Sequence, residues 1–132
     1  MNQFLGSCHC KLIKFKFFTD QILDELYTCN CSLCLKKSII MKPIKKEDFY
    51  LLSGESTLNN YQWNKNIAKH YFCTFCGVYT HHLRRRDPSQ ISINIMCVDD
   101  ILLPSTIKIN QVDGASHDLS LIHISEPTRL LA

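Results

Sequence analysis

The sequence predicts a mainly β domain of short antiparallel strands gathered around metal. Apolar residues recur with a period of two in several short runs, and no alternation of strands with long helical stretches occurs. Most of the cysteines stand two or three residues apart, a spacing suited to metal ligation.

The elements follow in chain order. Within residues 12–18, Ile13, Phe15 and Phe17 alternate with Lys14, Lys16 and Phe18, the pattern of a half-buried strand. Residues 20–26 supply a short turn. Residues 29–34 form a loop, with a single helical turn over 33–37. Residues 42–47 read as a charged connection interrupted by Pro43, and 49–52 as a strand ended by Ser53 and Gly54. Two further strands, 57–63 and 67–72, flank a polar turn at 64–66. Residues 78–83 make another short segment. The clearest alternation sets Ile91, Ile93 and Ile95 against Ser92, Asn94 and Met96, and Ile107 and Ile109 repeat it after Pro104.

A chain of 132 residues is one domain's worth, with no internal repeat or linker. A net charge of +3 is too small to argue for nucleic acid or a membrane surface as partner, and the lysines are dispersed rather than striped. No run approaches the roughly 20 apolar residues of a membrane span. Residues 1–6 lack the basic start and apolar run of a signal peptide, so a cytoplasmic location is expected. In that reducing compartment eight cysteines point to metal or redox chemistry rather than disulfides.

Cys8 and Cys10, on one face of a strand with His9 turned away, can aim both sulfurs at one ion. Cys73 and Cys76 have the form of a zinc knuckle, in which Gly77 can adopt the positive φ that such a turn often needs. The two pairs together make a closed four-thiolate set, suited to structural zinc and also to iron. Cys29, Cys31 and Cys34 supply only three ligands. The fourth must come from Cys97, a histidine, water or a substrate. An open position is the form of a catalytic zinc site, and a closed one would be structural.

Other candidates are plainer. His81 and His82 alternate faces on a presumed strand, so at most one points inward. Lys69 and His70, beside the knuckle, would offset the charge of a four-thiolate zinc. Arg84, Arg85 and Arg86 read as a solvated turn or as a clamp for substrate carboxylates, which guanidinium groups grip in pairs. Cys97 reads as a buried small apolar residue. Residues 121–132 break the composition: up to Asp118 there are eleven lysines and only three arginines. This tail resembles the translation of a sequencing adaptor, the other reading being a genuine amphipathic tail, and the expected domain is residues 1–120.

At these motifs the chain resembles the glutathione-dependent formaldehyde-activating enzyme family, which includes centromere protein V. The matching strings are Gly6-Ser7-Cys8-His9-Cys10, then Cys29-Asn30-Cys31-Ser32-Leu33-Cys34, then Tyr71-Phe72-Cys73-Thr74-Phe75-Cys76-Gly77. Tyr79-Thr80-His81-His82 with the arginines, residues 94–99, and Asp113-Gly114 with His117 resemble a bacterial branch. Lys11 departs from the pattern, because the family usually has glycine there. The resemblance implies a β-tent fold and two zinc ions. Cys8, Cys10, Cys73 and Cys76 would hold the structural ion, and Cys29, Cys31 and Cys34 the catalytic one. The implied reaction adds glutathione to formaldehyde to give S-hydroxymethylglutathione, grouped with carbon–sulfur lyases. The alternative is a non-catalytic, zinc-stabilised binding module.

Overall fold

The computed structural model describes residues 1–62, 68–84 and 87–114. The alternation in residues 12–18 produces β2 (Lys14–Thr19), whose Phe15 and Phe17 are fully buried, as is Ile13 just before it. β2 pairs antiparallel with β1 (Asn2–Ser7) and β5 (Phe49–Ser53), making a three-stranded sheet in the order β1-β2-β5.

A seven-stranded sheet faces it. Its remaining members are β3 (Tyr27–Cys29), β4 (Met41–Lys45), β6 (Leu58–Tyr61), β7 (Lys69–Cys73), β8 (Tyr79–Leu83), β9 (Gln90–Asn94) and β10 (Asn110–Val112). They run in the order β10-β3-β4-β9-β8-β7-β6. All pairs are antiparallel except β10 with β3, which is parallel. Phe15 and Phe17 pack against Ile44, Ile91, Ile93 and Ile95 between the two sheets. Each such side chain contributes roughly 1.5–3 kcal/mol through burial. The architecture is therefore mainly β, as the alternating runs predict. One short helix, α1 (Ser32–Lys37), covers the helical turn expected at 33–37. No helix among the described residues is long and apolar enough to cross a membrane.

Several expectations need correction. The first part of the stretch 42–47, read as a charged connection, belongs to the internal strand β4 (Met41–Lys45). The lysine that argued against a strand, Lys42, is buried and donates from Nζ to the carbonyls of Gln21 and Asp24, at 2.9 and 2.6 Å. Pro43 is tolerated because β3 pairs with β4 only at Met41, leaving that side of the strand without a ladder further on. Cys8 and Cys10 lie in a turn after β1 rather than in a strand. The last strand among the described residues falls at Asn110–Val112 instead of on Ile107 and Ile109. The polar turn at 64–66 lies outside the described residues, as do residues 121–132.

His81 and His82 are both buried, against the expectation that at most one points inward. β8 lies inside the sheet, and both of its faces are covered. His81 stacks on Tyr71 and lies beside Phe49, with ring centroids 4.7 and 4.6 Å apart. A bulge at Thr80, where Tyr71 pairs with His81 but Phe72 with Tyr79, brings Tyr79 within reach of His82 on the opposite face.

Candidate metal centres

The four-cysteine cluster lies where the two sheets meet. Cys8 and Cys10 come from the turn after β1, Cys73 ends β7, and Cys76 follows one turn later. Their four sulfurs all lie within 4.8 Å of one another. Cys10 Sγ is 3.6 Å from both Cys8 Sγ and Cys73 Sγ. A tetrahedral ion with bonds of about 2.3 Å to sulfur requires sulfurs about 3.8 Å apart, so the cluster fits zinc.

The two turns are built alike. Cys8 N–H donates to the Ile13 carbonyl and Cys73 N–H to that of Val78, both at 3.1 Å. The N–H groups of Ile13 and Cys76 return to the sulfurs of Cys8 and Cys73, at 3.4 and 3.5 Å. Gly77 has a φ of 75°, as its position after the knuckle requires. The Cys10 backbone N–H, and more weakly that of Val78, pull the Cys76 thiol down to about 6. Leu51 of β5 and Leu58 of β6 pack on this cluster, so an ion here would tie one sheet to the other.

Cys29, Cys31 and Cys34 form the second cluster. Cys29 ends β3, and Cys31 caps α1 by accepting from the Cys34 N–H at Sγ, 3.4 Å away. The Cys31 N–H points back to Cys29 Sγ at 3.5 Å. Nearby thiols of Cys31 and Cys34 hold Cys29 well below the usual thiol range, while those of Cys29 and Cys31 push Cys34 well above it. The three sulfurs thus compete for protons at one place, and a cation there would relieve the competition.

Strand β10 and the residues just after it close this centre. Val112 of β10 pairs with Cys29, and Asn30 bonds the Val112 carbonyl and the Asp113 carboxylate, both at 3.1 Å. A Cβ on Gly114 would lie 2.5 Å from Cys29 Sγ and 2.9 Å from Cys31 Cβ, so only glycine fits. The Gly114 N–H also donates to Cys29.

Among the described residues, no fourth cysteine, histidine or acid joins these three. Cys97 is directed elsewhere: its Sγ donates to the Tyr79 carbonyl at 3.4 Å, and burial pushes it up to about 12. His117 lies outside the described residues. His70 does not serve the four-cysteine cluster as anticipated; it faces Tyr79, and burial, with the Lys37 charge, lowers it to about 4.

Tyr27, Met41 and Tyr79 form a buried floor on which Cys34 packs. A cation stands over each tyrosine. Lys37 Nζ is 4.4 Å from the Tyr79 ring centroid, and the Arg84 guanidinium is 4.8 Å from that of Tyr27. Arg84 also donates to Gln90 Oε1 at 2.6 Å. Arg84 therefore belongs to this neighbourhood, whereas Arg85 and Arg86 lie outside the described residues. Lys37 and Gly114 were not identified as site residues from sequence. The signal for Lys37 was its place three residues after Cys34, one helical turn along the same face.

The model of the family described as glutathione-dependent formaldehyde-activating enzyme matches residues 3–112, a span holding all seven clustered cysteines. Among solved structures, the crystal structure of a Rhodobacter sphaeroides protein is similar, with a TM-score of 0.77 and 27% identity. The match covers 82% of this chain and 99% of that one.

Proposed function

Because the chain belongs to the glutathione-dependent formaldehyde-activating enzyme family, we propose that it binds two zinc ions and acts as a carbon–sulfur lyase on a small thiol–aldehyde adduct, S-hydroxymethylglutathione or a close relative. Cys8, Cys10, Cys73 and Cys76 would hold the structural ion, and Cys29, Cys31 and Cys34 the catalytic one. Zinc bound there would supply Lewis acidity toward an oxygen or stabilise a thiolate sulfur.

One observation carries this reading. Three sulfurs converge beside Gly114, where a side chain would not fit, and no fourth protein ligand joins them among the described residues. That is the donor set of a metal centre with a position left for substrate.

The protein's own residues then bind and orient. A thiol peptide carries carboxylates, and among the described residues Lys37 and Arg84 are cations flanking the tyrosine floor. The tyrosine rings position both cations, which reduces the freedom lost when an anion binds. The cytoplasm, a reducing compartment, would keep all seven ligands as thiols until metal binds.

The test is the rate of S-hydroxymethylglutathione formation above the spontaneous reaction, measured against protein concentration. Acceleration proportional to zinc-loaded protein, and its loss in Cys34→Ser, is expected. A rate independent of protein concentration would overturn the assignment.

A further inference from the structure

Past Ile107 the chain leaves the core. Ile107 still packs against the apolar cluster between the sheets, but Lys108, Ile109, Asn110 and Gln111 are exposed. β10 is three residues long, stands at the edge of its sheet and, among the described residues, pairs with β3 alone. A strand so short is marginal without a packed face, and Val112 is its one half-buried residue. The Asn110 N–H donates to the Leu26 carbonyl at 2.9 Å, which fixes where β10 begins.

The residues after β10 turn inward, onto the three-cysteine centre. Gly114 is buried, and a Cβ on it would meet two of the ligands, Cys29 Sγ at 2.5 Å and Cys31 Cβ at 2.9 Å. Its N–H donates to Cys29. Asn30, between those two ligands in the chain, donates from its backbone to the Val112 carbonyl and from Nδ2 to the Asp113 carboxylate, both at 3.1 Å. Val112 packs on the same tyrosine floor as Cys34. The buried contacts of residues 110–114 are thus made with the metal-binding loop and its floor. The wall that receives Gly114 exists only while the sulfurs are gathered, and an ion is what would keep three sulfurs within 4.8 Å of one another.

We propose that residues 110–114 are a metal-responsive strap, docked while Cys29, Cys31 and Cys34 hold an ion and loosened when they do not, a role that rests on the ion assigned to these cysteines above. With residues 29–31 fixed by ligation, the strap docks on a wall already ordered, and less freedom is lost in docking. Such coupling is reciprocal: what the ion adds to docking, the docked strap adds to retention of the ion. The strap therefore slows exchange at one centre only. The four-cysteine centre takes its ligands from the turns after β1 and β7, and four strands separate β7 from β10 in the sheet.

Two measurements on the full chain test the strap. The first is amide hydrogen exchange at Asn110, whose acceptor Leu26 lies outside the metal-binding loop. In Cys34→Ser, which lacks the second ion, this amide should exchange about 10-fold faster than in the two-zinc protein, while the amides of β2 and β8 keep their rates. The second is the rate at which a chelator removes zinc. Asp113→Ala removes the carboxylate that Asn30 holds and leaves all seven cysteines in place. The release phase that Cys34→Ser lacks should run about 10-fold faster in Asp113→Ala, with the other phase unchanged. Equal exchange at Asn110 with and without the second ion overturns the strap alone, and so does an Asp113→Ala release rate within twofold of wild type. A wild type that binds a single ion overturns the metal assignment and the strap together.

Discussion

Lys11 and Gly77 hold equivalent places in the four-cysteine centre. Each directly follows the second cysteine of its pair, and each has a left-handed backbone, with φ of 66° and 75°. The conformation costs glycine almost nothing but costs other L-residues roughly 1–2 kcal/mol. Here lies the physical content of the departure at Lys11: the turn wants the glycine that the related family usually supplies.

Lys11→Gly should therefore stabilise the zinc-loaded protein by about 0.5–1 kcal/mol, after the greater freedom of glycine in the unfolded chain is taken into account. Gly77→Ala should do the reverse by about 1 kcal/mol. A Cβ there meets nothing within 4 Å, so only backbone strain would act. Urea midpoints measured at constant metal content check both. Metal stoichiometry should not change in either variant.

Gly114→Ala acts by crowding instead. The added methyl would lie 2.5 Å from Cys29 Sγ, and the neighbouring backbone of Cys31 limits escape. Elemental analysis should find one zinc per chain in place of two, with the far-UV spectrum of the sheets retained. Two tightly held ions in this variant would show that β10 does not close the centre.

The two cysteine clusters should differ in what their loss does. Cys73 is fully buried at the joint between sheets, so Cys73→Ser should leave the chain misfolded. Structural zinc contributes on the order of 10 kcal/mol to the folding of small domains. Cys31→Ser should lose one metal yet stay folded, since serine is itself a good N-cap for α1. Equal loss of the cooperative thermal transition in both variants would mean that both centres are structural.

Acid should destabilise the fold through its buried histidines. Burial lowers His81 to about 3 against an ordinary value near 6.5. Between those values the unfolded chain binds a proton that the folded one refuses. Stability is thus complete above about pH 6.5 and falls as pH drops toward 3. His81→Phe keeps the stacking on Tyr71 and Phe49 but removes the titration. The loss of stability between pH 7 and pH 5 should be smaller in this variant by about 1–2 kcal/mol, read from urea midpoints at both pH values. Absolute stability is a poorer readout, because Thr80 Oγ1 loses its partner at His81 Nδ1 at either pH.

What was legible in the sequence was local. The period-two burial of Ile13, Phe15 and Phe17 and the cysteine spacings depend on neighbours a few residues away, and both were readable. Lys42 was misread because its burial depends on the carbonyls of Gln21 and Asp24, contributed by a distant turn. His82 and Tyr79 were unreadable as partners because a bulge, which no pattern announced, brings residues of normally opposite faces together. Gly114 carries its meaning only through contact with Cys29, far away in the chain.

The central claim is that the Cys29, Cys31 and Cys34 centre keeps a coordination position for a thiol. Cobalt in place of zinc makes it directly visible, because each thiolate bound to cobalt adds sulfur-to-metal charge-transfer absorption. Titrating glutathione into the cobalt-loaded protein should raise that absorption saturably, from a three-thiolate to a four-thiolate spectrum. Cys34→Ser should abolish the response while the four-cysteine centre keeps its own spectrum. A wild-type spectrum unchanged by glutathione, and by other small thiols, would contradict the claim.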